Sequence, residues 1–317
     1  MYLSSYVVHP FLRAFCLICC FFFLSCRNIQ ILQEVKPLPH YPSASGIEIL
    51  NNRIYIIGDD ANNLLVLDSN LNAIDSISLY SFPEKRIPKA VKPDLEAIAV
   101  LPGGKLFLAG SGSLTPCRNT ALIIDPVTRQ IDSIRLDTFY QRLTSNSIEE
   151  LNIEGMTVIS AGIILSCRGS KGYPVNHLIF TRHNFWLNQS KTEINVTVTG
   201  ANTDSTSFSG ISGLGYSQES DILIMTLSTE DTRNRFDDGT IGKSYLWIVK
   251  NISSKRMHKT ILPDKIIDLD AMDSRFKGQK IESVCIMKET KKQFHLLLAA
   301  DNDNGSSTLF RLTVGKE

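Results

Sequence analysis

Apolar positions along the chain fall into short runs of about four to eight residues, separated by clusters of Gly, Asn, Asp, Ser and Pro. Runs of this length, rich in Val, Ile, Leu and Tyr, predict β-strands, because helices need longer segments with a 3.6-residue period. The runs are also ordered. "SGIEILNNRIYIIGDD" from Ser45, "EAIAVLPGGKLFLAGSGS" from Glu96, "EGMTVISAGIILSCRGS" from Glu154, "SGLGYSQESDILIMTLSTED" from Ser212 and "ESVCIMKETKKQFHLLLAADNDNG" from Glu282 share one pattern. Each opens on Ser or Glu, mostly followed by a small residue, and continues as apolar strand, turn, second apolar strand and polar cluster. Intervals of about 50 to 70 residues between the openings are the spacing of propeller blades.

A third run follows each cluster: "NLLVLD", "TALIID", "NHLIF", "SYLWIV" and "STLFRL". A fourth follows in four cases, as "AIDSISL", "QIDSIRL", "TEINVTV" and "MHKTIL". The last repeat has three runs, and "NIQILQEVKPL", residues 28 to 38, precedes the first repeat without a partner. Pairing that segment into the last repeat removes the open sheet edge and closes a ring. The sequence therefore predicts an all-β fold, a five-bladed β-propeller of four-stranded blades closed by the N-terminal strand, as one domain over residues 26–317. Helical turns are expected in "DTFYQRL" and near Asp270 to Phe276.

This architecture places the candidate chemistry. The first strand of a blade lines the central channel, so Ser45, Glu96, Glu154, Ser212 and Glu282 should converge at one mouth, with Ser209 an alternative to Ser212. Three facing carboxylates repel unless a cation intervenes, and Ca²⁺ accepts six to eight oxygen ligands in flexible geometry. These five residues are the expected metal ligands. Because the second strand returns antiparallel to the same face, an outer ring should hold Asp59, Asp60, Ser111, Ser113, Arg118, Arg168, Glu230, Asp231, Asp238, Asp301 and Asp303. Taken singly, "GDD", "DDG" and "DNDNG" are ordinary turn sequences; only their shared face promotes them.

The ends of the chain add a location. "AFCLICCFFFL", residues 14 to 24, is almost wholly apolar and too short to span a bilayer comfortably. It reads as the apolar part of a signal peptide over residues 1–25. "FFFLSC" resembles the lipobox of bacterial lipoproteins, which implies a lipidated Cys26, a membrane anchor and an extracytoplasmic domain; a plain secretory signal or an uncleaved anchor is the alternative. Without Arg13, the 33 basic residues fall to match the 32 acidic ones. A balanced chain without a basic cluster argues against nucleic acid as a partner. Cys117, Cys167 and Cys285 remain beyond the signal and Cys26, and form no disulfide or zinc pattern. No P-loop, dinucleotide fingerprint or G-x-S-x-G elbow occurs.

The order Ser, Glu, Glu, Ser, Glu at five successive openings resembles the calcium-activated nucleotidases, or apyrases. "SGIEILNNRIYIIGDD" and "TLSTED" are similar to local segments of that family. The resemblance implies a central Ca²⁺ held by the five openers and a phosphohydrolase in which a Ca²⁺-bound water attacks a phosphoryl group. Arg118 and Arg168 would grip its oxygens, with Asp59, Asp60, Glu230 and Asp231 around them. "LFLAGSGSLTPC" departs from the family, lacking its lysine at the second blade. The openers also resemble phytase-like and esterase-like propellers and bacterial propeller lipoproteins. Two functions stay open: a Ca²⁺-dependent hydrolase of phosphoesters or pyrophosphates, and a non-catalytic propeller that binds a glycan, peptide or protein partner with Ca²⁺ as a structural ion.

Overall fold

The apolar runs pair into five sheets around one axis, antiparallel except where Thr260–Ile261 adds a short parallel edge to one of them. The computed structural model of the chain describes residues 29–146, 148–200, 208–230, 241–302 and 305–317, excepting the side chain of Glu230. In chain order, β1 (Gln30–Leu38) precedes blade one, which comprises β2 (Ala44–Leu50), β3 (Arg53–Gly58), β4 (Asn63–Leu67) and β5 (Ala73–Ser78). Blade two holds β6 (Leu95–Val100), β7 (Leu106–Gly110), β8 (Thr120–Ile124) and β9 (Ile131–Arg135). Blade three holds β10 (Ile153–Ile159), β11 (Gly162–Cys167), β12 (Asn176–Thr181) and β13 (Ile194–Thr199). Blade four holds β14 (Gly210–Ser217), β15 (Ile222–Glu230), β16 (Ile241–Lys250) and β18 (Lys265–Asp268), with the short β17 (Thr260–Ile261) lying between β16 and β18 in the chain. Blade five has β19 (Ile281–Glu289), β20 (Gln293–Asp301) and β21 (Ser307–Gly315).

The expected closure is present. β1 pairs antiparallel with β21, from Gln30 opposite Val314 to Leu38 opposite Ser307, and supplies the fourth strand of blade five. The innermost strands β2, β6, β10, β14 and β19 touch in sequence, and β19 returns to β2, so the ring is complete.

One strand assignment differs from expectation. The run "MHKTIL" reads as the fourth strand of blade four, but its Thr260 and Ile261 pair in parallel with Val198 and Thr199 of β13 and extend blade three. Blade four is completed by β18, which pairs with Tyr245 to Ile248. Pro263, which has no N–H for a ladder, separates the two pieces, and Ile261 is buried in the cluster between blades three and four. The expected helical turns are α1 (Asp137–Ser145), α2 (Leu269–Met272) and a 3₁₀ turn at Ser274–Phe276.

No single core fills the molecule. Apolar side chains form five clusters, one in each wedge between neighbouring blades. Helix α1 adds Phe139, Tyr140 and Leu143 to the wedge between blades two and three. Cys167 and Cys285 are buried free thiols and Cys117 is partly buried. Among the described residues, no helix is long and apolar enough to cross a membrane.

Candidate functional site

In all five blades the inner two strands lose register at the same place. The shift falls between Ala44 and Gly46, Leu95 and Ala97, Ile153 and Gly155, Ile211 and Gly213, and Ile281 and Ser283. The residue left out of the ladder is each time the opener: Ser45, Glu96, Glu154, Ser212 or Glu282. A bulge frees one residue from pairing and re-aims its side chain, so these five share one position relative to the axis. The following residue is small because the next blade presses against it. A Cβ on Gly213 would lie 2.7 Å from the Glu282 carbonyl oxygen and the Ser283 Cα, both backbone atoms.

The two serines fasten blades together. Ser45 Oγ donates to the Leu95 carbonyl at 2.5 Å, and Ser212 Oγ donates to the Ile281 carbonyl at 2.6 Å, in each case the residue just before a glutamate of the next blade. The glutamates meet protein cations. Arg168 Nη1 lies 3.9 Å from Glu154 Oε2 and 3.7 Å from Glu282 Oε2, while Lys280 Nζ lies 2.9 Å from Glu282 Oε1. Gly210 permits this crossing, because a Cβ there would come within 2.6 Å of Arg168 Nε.

Glu96 belongs to a second group off this arginine. Asp59, Asp94 and Glu96 each present a carboxylate oxygen, all within 4.8 Å of one another. Lys92 Nζ bridges Asp59 Oδ2 and, at 2.8 Å, Asp94 Oδ1. Arg118 Nη1 approaches Asp94 Oδ2 at 2.7 Å and Ser113 Oγ at 2.8 Å, and Ser111 Oγ donates to the same Asp94 oxygen. Asp94 has φ 54°, the left-handed region that side chains other than Gly, Asn and Asp seldom adopt, and such positions cluster at functional sites. Next to it, Arg86 Nε pairs with Asp60 Oδ2. The basic loop between β5 and β6 thus folds over the Asp59–Asp60 turn, and the Ile87 N–H donates to the Asp60 carbonyl at 2.8 Å.

Burial, followed by the charges of Glu154, Asp94 and Asp59, pushes the Glu96 carboxyl well above its ordinary range. Burial likewise raises Asp59 to about 6 despite the Lys92 ammonium beside it. Desolvation opposes ionisation of Asp94 too, but Lys92 and Arg118 outweigh it and hold that carboxyl low. Burial disfavours the Lys92 ammonium, and Asp59, Asp94 and Glu96 more than offset this. Two buried carboxylate oxygens, Asp59 Oδ1 and Asp60 Oδ1, have no hydrogen-bond partner. Orphaned buried acceptors are costly, and both residues line a cavity of about 260 Å³ together with Arg86, Lys89, Lys92 and Asp301. Acceptors of this kind suit a hard cation with oxygen ligands.

Of the expected residues, then, Glu154 and Glu282 meet at Arg168, whereas Glu96 gathers with Asp59 and Asp94. Arg118 and Arg168 have side chains only 5% and 9% exposed and are turned onto carboxylates, not outward as grips for a substrate. Ser209 offers its carbonyl to Asn176 Nδ2 at 2.8 Å. The Glu230 side chain and Asp231, Asp238, Asp303 and Cys26 lie outside the described residues. Lys92, Asp94, Arg86 and Lys280 were not singled out by pattern. For the first three the signal was local: "EKRIPKAVKPD" packs four cations and an aspartate immediately ahead of Glu96, while Lys280 stands two residues ahead of Glu282.

Comparison with known proteins supports the architecture. The glutaminyl cyclase of Myxococcus xanthus is similar at a TM-score of 0.54 and 9% identity, covering 92% of this chain and 98% of that one. Virginiamycin B lyase of Staphylococcus aureus aligns at a TM-score of 0.38 and 9% identity, over 90% of this chain and 99% of that one. No curated protein sequence matches. The propeller fold is therefore shared with the glutaminyl cyclase, and a likeness to the nucleotidases is not shown. The match of residues 40–314, which takes in all five openers, to one family model means that the chain belongs to the family of unknown function DUF6929.

Proposed function

We propose that this protein is a calcium-binding β-propeller, anchored to the cell envelope through lipidated Cys26, that binds a small ligand or an envelope partner at its channel mouth. One observation carries the reading: Asp59, Asp94 and Glu96 bring three carboxylate oxygens within 4.8 Å of one another. The fit is supported by Asp59 Oδ1 and Asp60 Oδ1, buried without a hydrogen-bond donor. Glu154 and Glu282 stand beyond this group with Arg168 and Lys280 as counter-charges. The ion is thus expected toward Asp59, Asp94 and Glu96, off the symmetric centre of the five openers.

Calcium near 100 times its dissociation constant should stabilise the fold by about 2.7 kcal/mol if it binds only the native state. Thermal melts with and without Ca²⁺ measure this, and Glu96→Gln should abolish most of the gain. An unchanged wild-type melting temperature would remove calcium from the reading.

A second reading, hydrolysis of a phosphoester or pyrophosphate, is favoured by Arg86, Lys89 and Lys92 lining the cavity that also exposes Asp59. These cations take the role expected of Arg118 and Arg168. Calcium, when bound, would supply Lewis-acid activation of water. Incubation with nucleotides, inositol phosphates and simple phosphoesters, with and without Ca²⁺, tests it. Absence of turnover leaves a binding propeller, a use the fold serves as readily as catalysis.

A further inference from the structure

We propose that the cavity over the Asp59–Asp60 turn is a subsite for a small oxyanion, a phosphate monoester or dicarboxylate, and that Lys92 makes it dependent on calcium. The inference rests on the calcium reading above. In this structure the Lys92 ammonium bridges Asp59 and Asp94, two of the three residues that offer a divalent ion its oxygens. A divalent ion drawn to these carboxylates repels an ammonium held by the same two groups, so Asp59 and Asp94 release Lys92 when they hold calcium. Lysine is a point charge on a flexible four-carbon stem, and Lys92 already lines the cavity. The cavity is where its head group goes.

The charge balance then turns from neutral to positive. Asp59, Asp60 and Asp301 face Arg86, Lys89 and Lys92 across the cavity, three acids against three bases. With Asp59 committed to a metal ion, two acids face three bases, and the ion's own charge adds to the positive side. An anion is now favoured where none was before. Independently of the acidic cluster, Asp60, only 4% exposed, keeps Oδ2 on Arg86 and leaves Oδ1 without a donor. A ligand hydroxyl or acid proton can satisfy that oxygen while Arg86 turns a second N–H to the oxyanion. The volume of about 260 Å³ equals the room of roughly eight or nine waters, which limits the ligand to a small one.

Calorimetric titration of the full propeller with glycerol 2-phosphate and with succinate, with and without saturating Ca²⁺, tests the coupling. At least one of the two should bind about tenfold or more tightly with calcium, and by linkage should tighten calcium binding by the same factor; preference for the phosphate separates the phosphoester source from the dicarboxylate. Lys92→Met should bind calcium more tightly, having lost a tethered competitor, while its anion affinity responds to calcium severalfold less than that of the wild type. As a check that needs no variant, reductive methylation of the wild-type protein should spare Lys92 without Ca²⁺ and modify it with Ca²⁺. Calcium binding with anion affinities that ignore it, or Lys92 equally protected in both conditions, overturns this inference and leaves the calcium site standing. Failure of calcium to bind both the wild type and Lys92→Met overturns both.

Discussion

At the scale of single residues the mouth is a network of buried opposite charges, and removing one partner should expose the dependence. Arg118 and Asp94 are nearly enclosed, 4% exposed each, and joined at 2.7 Å. Deleting one member of such a pair strands the other, typically at about 3 to 5 kcal/mol. Lys92 remains on Asp94, so Arg118→Ala should fall near the lower figure in chemical denaturation, and a loss below about 1 kcal/mol would show the pair to be dispensable. Glu48 offers a pH signature away from this cluster. Burial lifts its carboxyl to about 7, opposed by the Ile49 N–H at 2.8 Å. Its folded value lies above its unfolded one, so its contribution is full below about pH 4.5 and is lost as pH rises through 7. Glu48→Gln should therefore stabilise the protein at pH 8, on the order of 2 kcal/mol after allowing for solvent access, and do little at pH 4; equal effects at both values would contradict the assignment. Glu96 and Asp59 were legible in the sequence because they recur at fixed places in a repeat. Lys92 and Asp94 were not, since no period marks them and their further partners, Asp59 and Arg118, lie in other loops.

At the scale of strands, the five bulges explain why the sequence pattern worked. An opener followed by a small residue is the written form of a bulge whose next residue meets the neighbouring blade. Gly213→Ala should consequently cost about 3 kcal/mol, at the upper end of ordinary overpacking, because its Cβ would press on the backbone of Glu282 and Ser283. A loss of under 1 kcal/mol in urea unfolding would mean that β14 and β19 can part without consequence. The outer strands were less legible. "TIL" and "KIID" are both short apolar runs on either side of Pro263, and local composition does not say which sheet edge each reaches. Burial decides: Ile261 fills the wedge between blades three and four, while Ile267 of β18 fills the one between four and five.

At the scale of the whole molecule, closure and site are one structure. The missing strand after β21 was legible because an unpaired edge and an unpartnered N-terminal segment are complementary defects. What counting strands could not reveal is the route from that closure to the mouth. Ser307 of β21 accepts the Ala44 N–H at 2.9 Å and donates to the Tyr41 carbonyl at 2.9 Å, tying the last blade to the start of β2. Tyr41 in turn reaches the Ile56 carbonyl at 2.9 Å and the Asn63 carbonyl at 2.8 Å, on either side of the turn that carries Asp59 and Asp60. Leu32 and Leu38 of β1 are buried in the wedges on the two sides of blade five. Removing residues 30–38 forfeits about 1.5 to 3 kcal/mol for each of these two side chains and opens the ladder that holds β21. If the ring acts as a unit, the truncated protein should unfold in one transition at a lower denaturant midpoint and should also bind calcium more weakly, although β1 contributes none of the carboxylates. Circular dichroism and calorimetry on the same preparation measure both. A truncation that lowers stability but leaves calcium affinity intact would separate the site from the closure and confine its support to blades one and two.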